Sequence, residues 1–148
     1  MRGSGPSRAA ALEVDLNIVV GYIPSPEGLA AIDYAVKYAG LVDGRLLVLN
    51  TGHNGNYADP SFADPRDLDA LTAQLTEQGI KHEVRQPVEG RTAAEEILDT
   101  AAASQADLIV IGLRRRSPVG KLITGSTAQQ VLLDAECPVV AVKAPVHH

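Results

Sequence analysis

Five short apolar runs, spaced by segments of helical period, constrain this chain more than any other feature. Leu16-Asn17-Ile18-Val19-Val20-Gly21-Tyr22 and Leu108-Ile109-Val110-Ile111 are apolar nearly throughout, as strands covered on both faces are. Leu46-Leu47-Val48-Leu49 and Pro138-Val139-Val140-Ala141-Val142 read the same way, while Ile80 to Gln86 alternates less cleanly and reads as an edge strand. Ser25-Pro26-Glu27 starts a helix well, with a cap, a proline at the first helical position and an acid at the positive dipole end. Leu29, Ile32, Val36 and Ala39 then give one apolar stripe. Leu68, Leu71 and Leu75 mark a second helix ending at Gly79. Thr92-Ala93-Ala94-Glu95 matches a capping box and opens a third helix, with Ile97, Leu98 and Ala101 on its buried face. Ala128 to Glu136 reads as a fourth. Strands joined by helical crossovers form a parallel sheet with helices on both faces. The expected architecture is therefore a single three-layer α/β domain around a five-stranded parallel sheet. Sheets of this kind bind ligands beyond the carboxyl ends of the strands, where strand order reverses. The loops after Tyr22, Leu49 and Gly112 meet there.

At 148 residues the chain can bury about 70% of its unfolded surface as one domain. It has no Trp and one Phe, so the core falls to Val, Leu, Ile and Ala. A net charge of −5 argues against a nucleic-acid partner, which needs an extended basic face. No apolar run approaches the ~20 residues of a membrane helix, and the first residues lack the apolar stretch of a signal peptide. Cys137 is the only cysteine, which precludes an intrachain disulfide and fits a reducing cytoplasm. Residues 1–15 read as a flexible leader, 16–143 as the domain and 144–148 as a tail.

The stretch from Gly112 to Thr127 carries Arg114, Arg115, Arg116 and Lys121 and no acid. It leaves a buried strand and enters a helix at Gly125-Ser126-Thr127. A helix start offers unpaired N–H groups and the positive end of its dipole, so the segment is a candidate anion site. A Walker loop would need glycine at 115 and Ser or Thr at 122, where the chain has Arg115 and Leu122. G-x-G-x-x-G and G-x-S-x-G are both absent. The three arginines can pair with phosphate oxygens or with solvent and the molecule's own acids, and both readings stand. Ser126 or Thr124 as an ordinary N-cap competes with any ligand role.

Gly112, followed thirteen residues later by Gly125-Ser126, resembles the universal stress protein signature G-x-x-G-x9-G-[S/T]. The resemblance covers residues 16 to 143, including the closing Cys137-Pro138-Val139-Val140-Ala141-Val142 strand. It implies an adenine-nucleotide-hydrolase-like sheet in the order 3-2-1-4-5 and a homodimer paired through the last strand. It further implies ATP or AMP, with Mg accompanying ATP, over the carboxyl edge. The residues implied by position are Gly112, Leu113, Arg114, Arg115, Gly125, Ser126 and Thr127. Arg115 replaces the second signature glycine, where it either crowds the ribose or pairs with phosphate. Ile23 stands where nucleotide-binding members place an aspartate, which leaves backbone near Ile23 and Asn50 to read the base edge. Tyr22 either stacks on a ring or packs. The implied function is a cytoplasmic stress-response or signalling protein that binds adenine nucleotide. The alternative is a dimeric interaction module without nucleotide.

No catalytic constellation accompanies these residues. His53, in the long segment Thr51 to Arg66, has no nucleophile or metal partner, and His82 falls on the edge strand as an exposed residue. Cys137 reads as an inert core thiol. Asp59, Asp64 and Asp67 around Pro60 and Pro65 suit turns and caps rather than a metal. The expectation is a binding protein and not an enzyme.

Overall fold

In a computed structural model, the first apolar run becomes a central strand, β1 (Asn17–Tyr22), paired in parallel on both sides. Residues 16–22, 26–51, 65–86, 90–113 and 126–143 are described. They form α1 (Pro26–Val42), β2 (Arg45–Asn50), α2 (Pro65–Glu77), β3 (Lys81–Arg85), α3 (Ala93–Ser104), β4 (Leu108–Leu113), α4 (Ser126–Asp134) and β5 (Val139–Lys143). The sheet order is β3-β2-β1-β4-β5, parallel throughout. The leader 1–15, the tail 144–148, His53 and the arginine segment 114–125 lie outside the described residues.

Alternation along the strands sorts the core into two layers. Ile18, Val20, Leu46, Val48 and Val110 face Ala31, Ile32 and Ala35 of α1 and Leu71 and Leu75 of α2. Val19, Leu47, Leu49, Ile109 and Ile111 face Ile97 and Ala101 of α3 and Val131 of α4. Burying each of the larger aliphatic side chains stabilises the fold by about 1.5–3 kcal/mol. The scarcity of aromatics thus gives the expected Val/Leu/Ile/Ala core.

Three details depart from the periodicity. Leu29 was expected in the stripe of α1, but it is 53% exposed. The helix presents Gly28, Ala31, Ile32, Ala35 and Ala39 inward instead. The cause is close approach: a Cβ placed on Gly112 would lie 2.3 Å from the Glu27 carbonyl oxygen. Around that contact the inward positions 28, 31 and 35 are accordingly Gly, Ala and Ala. Second, α4 begins and ends two residues before the expected Ala128 and Glu136, and it buries Ala128 and Val131 while leaving Leu133 81% exposed. Third, His82 is half-buried rather than exposed, with Nδ1 2.8 Å from the Ile80 carbonyl.

Helix ends follow one device. After α1, α2 and α3, Asp43 (φ 55°), Gly79 (φ 72°) and Gln105 (φ 55°) turn left-handed. The next residue then donates five residues back: Gly44 to Ala39 at 2.9 Å, Ile80 to Leu75 at 3.0 Å, and Ala106 to Ala101 at 2.9 Å. Such closures satisfy orphan carbonyls and turn the chain straight into the following strand. At its other end α3 carries the expected capping box. Thr92 Oγ1 accepts from the Glu95 N–H at 3.1 Å, and Glu95 Oε1 accepts from the Thr92 N–H at 2.9 Å.

Candidate nucleotide site at the carboxyl edge

At the carboxyl edge the sheet divides between its two central strands. β1 pairs with β2 as far as Tyr22↔Asn50, but its pairing with β4 stops at Val20↔Val110. β4 stays with β5 through Leu113↔Lys143. Strand order reverses at this same place, so the division lies at the switch point where open α/β sheets take ligands.

Each bank of the division is tied. The Thr51 N–H donates to the Tyr22 carbonyl at 3.1 Å, and Thr51 Oγ1 donates to the same oxygen at 3.4 Å. Asn50, 2% exposed, donates through Nδ2 to Gln86 Oε1 at 3.1 Å and so joins the ends of β2 and β3. On the other bank Gly112 lies under the first turn of α1. The space of its missing side chain is taken by the Glu27 carbonyl, so this glycine is required for helix–strand contact whatever binds nearby. Gly21, one step back on β1, would place a Cβ 3.0 Å from Ile97 Cδ1.

The sequence-derived residues separate by what the structure does with them. Tyr22 is buried in the core layer beneath α1, so it packs rather than offering a ring for stacking. Leu113 is buried in the α3/α4 layer, so only its backbone faces the edge. Thr127 is half-buried in the first turn of α4. Ser126 is the first residue of that helix, while Ile23, Arg114, Arg115 and Gly125 lie outside the described residues. The end of β4 and the start of α4 are thus brought to one edge with the ends of β1 and β2. Sequence reasoning missed Thr51, Gln86 and the contact of Gly112 with Glu27. Short residues at 28, 31 and 35 were the available signal for that contact.

The first turns of the helices differ in charge. α1 has Glu27 and α3 has Glu95 and Glu96, whereas α4 has no acid in its first turn. Glu96, nearly buried, faces Arg91 Nε at 3.4 Å, and Asp99 also pairs with Arg91. The dipole of α4 is therefore the one among these three that its own first turn does not offset. Among the described residues no group of three or more His, Cys, Asp or Glu is arranged to hold a metal. No helix there is long and apolar enough to cross a membrane.

A five-stranded, parallel, doubly wound sheet, divided between β1 and β4 beneath an acid-free helix start, defines a three-layer α/β domain. The universal stress protein family model matches residues 16–143, and the chain belongs to that family. It is 44% identical over 126 residues to a universal stress protein of Mycolicibacterium smegmatis, spanning 85% of this chain and 96% of that protein. A solved universal stress protein from Archaeoglobus fulgidus is 30% identical with a TM-score of 0.72, covering 88% of this chain and 100% of that one. Another from the same organism, in complex with dAMP, shares the fold at 22% identity and a TM-score of 0.57, over 88% and 98% of the two chains. Neighbours of this fold are also solved with AMP or cAMP.

Proposed function

We propose that this protein binds an adenine nucleotide, ATP or AMP, in the division between β1 and β4, and acts in a cytoplasmic stress response. The observation that carries the reading is the start of α4. It is an acid-free helix N-terminus at the switch point, preceded by Arg114, Arg115, Arg116 and Lys121. Unpaired N–H groups and an uncompensated dipole attract phosphate. In this reading Gly125, Ser126 and Thr127 grip phosphates through N–H and hydroxyl groups, and Arg114 and Arg115 add charge-assisted bonds. Backbone at Gly112 and Leu113 meets the ribose, and backbone at Tyr22, Ile23 and Asn50 borders the base. Mg enters with ATP, held by its phosphates. Neighbours solved with dAMP, AMP or cAMP support the ligand class. In this reading the protein binds nucleotide and releases it unchanged.

The test is mass spectrometry of small molecules released from gently purified, denatured protein, with a thermal shift at millimolar ATP or AMP. Bound adenine nucleotide, lost in Gly125→Val with the circular dichroism unchanged, is the expected result. Neither co-purified nucleotide nor a shift leaves the second reading, a nucleotide-free dimeric module. That reading draws on β5, an edge strand whose Val139 to Val142 are only half-buried. Pairing through β5 accompanies both readings and is checked by sedimentation of Ala141→Pro, which removes a backbone donor that the register turns away from β4.

A further inference from the structure

The ends of β2 and β3 add a pair of side-chain amides to the carboxyl edge. The register Leu49↔Arg85 sets Asn50 beside Gln86 in the next row, and Asn50 is also the partner of Tyr22 on β1. This row leads from the edge strand to the bank of the division. Asn50 Nδ2 donates to Gln86 Oε1 at 3.1 Å, and Asn50 is 2% exposed while Gln86 is exposed. The bond occupies one lone pair of Gln86 Oε1. The other lone pair and both Nε2 hydrogens make no hydrogen bond with a described residue. Arg85 alternates to the opposite face of the sheet, where Glu83 holds it at 2.6 Å. The amide pair itself carries no charge, which suits a base rather than a phosphate.

The bond from Asn50 also fixes which way the Gln86 amide lies. Turning Gln86 over would set Nε2 against Nδ2, donor against donor. Gln86 therefore presents an acceptor and a donor side by side in one order. Adenine is complementary to that order, because its 6-amino group donates and the ring nitrogen beside it, N7 or N1, accepts. A 6-oxopurine such as guanine or hypoxanthine instead brings a carbonyl oxygen against Oε1, acceptor against acceptor.

The geometry points to Gln86 as the residue that selects adenine over a 6-oxopurine, with Asn50 as the positioning residue that orients its amide. This selection rests on the nucleotide reading and adds to it a side chain that reads the base. With its phosphates at the start of α4, after β4, a nucleotide laid along the edge carries its base across β1 toward β2.

The experiment titrates AMP and IMP, which differ in the group at position 6 and the N1 proton it brings, into the whole protein by calorimetry. The native protein is expected to bind AMP more tightly by roughly ten- to a hundredfold, as a bidentate amide contact supplies. Gln86→Leu, at an exposed position, should weaken AMP alone and bring the two nucleotides within about threefold of each other. Asn50→Asp, titrated at about pH 8 so that the buried carboxyl is ionised, accepts from Nε2 and turns the Gln86 amide over. Its preference should move toward IMP. A pair that served stability alone would weaken both nucleotides equally and leave their ratio unchanged. Equal binding of AMP and IMP by the native protein, or an unchanged ratio in Gln86→Leu, overturns the selection while nucleotide binding stands. A folded Asn50→Asp with the native ratio removes the positioning role. If that variant loses its circular dichroism, the ratio in Gln86→Leu decides. Failure of the native protein to bind either nucleotide overturns the nucleotide reading and the selection with it.

Discussion

The two edges of the sheet are built from opposite kinds of connection. On the amino edge, α1, α2 and α3 reach their next strands across two or three residues, each time through a left-handed turn and a bond five residues back. On the carboxyl edge three of the four connections are longer, with 14 residues between Asn50 and Pro65, seven between Arg85 and Ala93 and 12 between Leu113 and Ser126, and only the three between Tyr22 and Pro26 are as short. Short turns leave little backbone free to meet a ligand, whereas longer connections beside helix N-termini supply N–H groups and side chains. The difference explains why one edge is a scaffold and the other a candidate site. The exception on the amino edge is α4, after which no left-handed residue follows among the described residues.

The largest effect should come where the carboxyl edge is tightest. Gly112→Ala places a Cβ 2.3 Å from the backbone oxygen of Glu27, which cannot swing aside. A loss of about 3 kcal/mol or more in urea denaturation is expected. Gly21→Ala meets the end of the Ile97 side chain at 3.0 Å, and that methyl can rotate away, so about 1 kcal/mol is expected. Equal losses at the two glycines would remove the claim that α1 is pinned to β4. The next effect probes the two layers. Leu75→Ala beneath α2 and Ile97→Ala beneath α3 are both nearly fully buried, and each should cost about 2–4 kcal/mol. A much smaller loss at Ile97 would mean that the α3 layer is looser than its burial indicates.

The five strands, the capping box at Thr92 and the edge character of β3 were legible because each depends on local pattern, hydrophobic period and cap spacing, whereas the sheet order came only with the family resemblance carried by Gly112 and Gly125-Ser126. What the pattern could not convey was rotation and distance. Leu29 satisfied the helical period as well as Ala31 or Ala35 did. Only the nearness of α1 to β4, a contact across more than eighty residues of chain, decided which of them faced the sheet. Tyr22 offered the same choice, and the packed layer beneath α1 settled it toward packing. The site was legible as a place, the switch point, because topology fixes it. The ties that close its banks, Asn50 to Gln86 and Thr51 to Tyr22, were not legible, because they join strands that sequence spacing cannot align residue by residue.

A smaller pair of changes tests the two ends of one helix. Thr92→Ala removes the cap of α3 at the carboxyl edge and should cost about 1 kcal/mol. Gln105→Gly relieves a left-handed side-chain residue at the amino edge and should add roughly 0.5–1 kcal/mol. Opposite signs in thermal denaturation are expected. The same sign for both would show that the αL turn is not the strained element.

The smallest effect belongs to an ion cluster on the sheet surface, which serves neither edge. Arg85 Nε donates to Glu83 Oε2 at 2.6 Å, and Arg45 donates to Oε1 at 2.9 Å across β2 and β3. The hydrogen bond from Arg85, with the charges of Arg85 and Arg45, holds the Glu83 carboxyl below the usual 4.5 despite some desolvation. With the folded pKa below the unfolded one, the contribution is full above about pH 4.5 and is lost as pH falls through the folded value. Because the side chains are about two-fifths exposed, screening reduces the stabilisation to a few tenths of a kcal/mol. Urea midpoints of the native protein and Glu83→Gln should therefore differ slightly at pH 7 and converge by about pH 3. A gap that widens on acidification would mean the carboxylate is stabilised in the unfolded chain rather than by its two arginines.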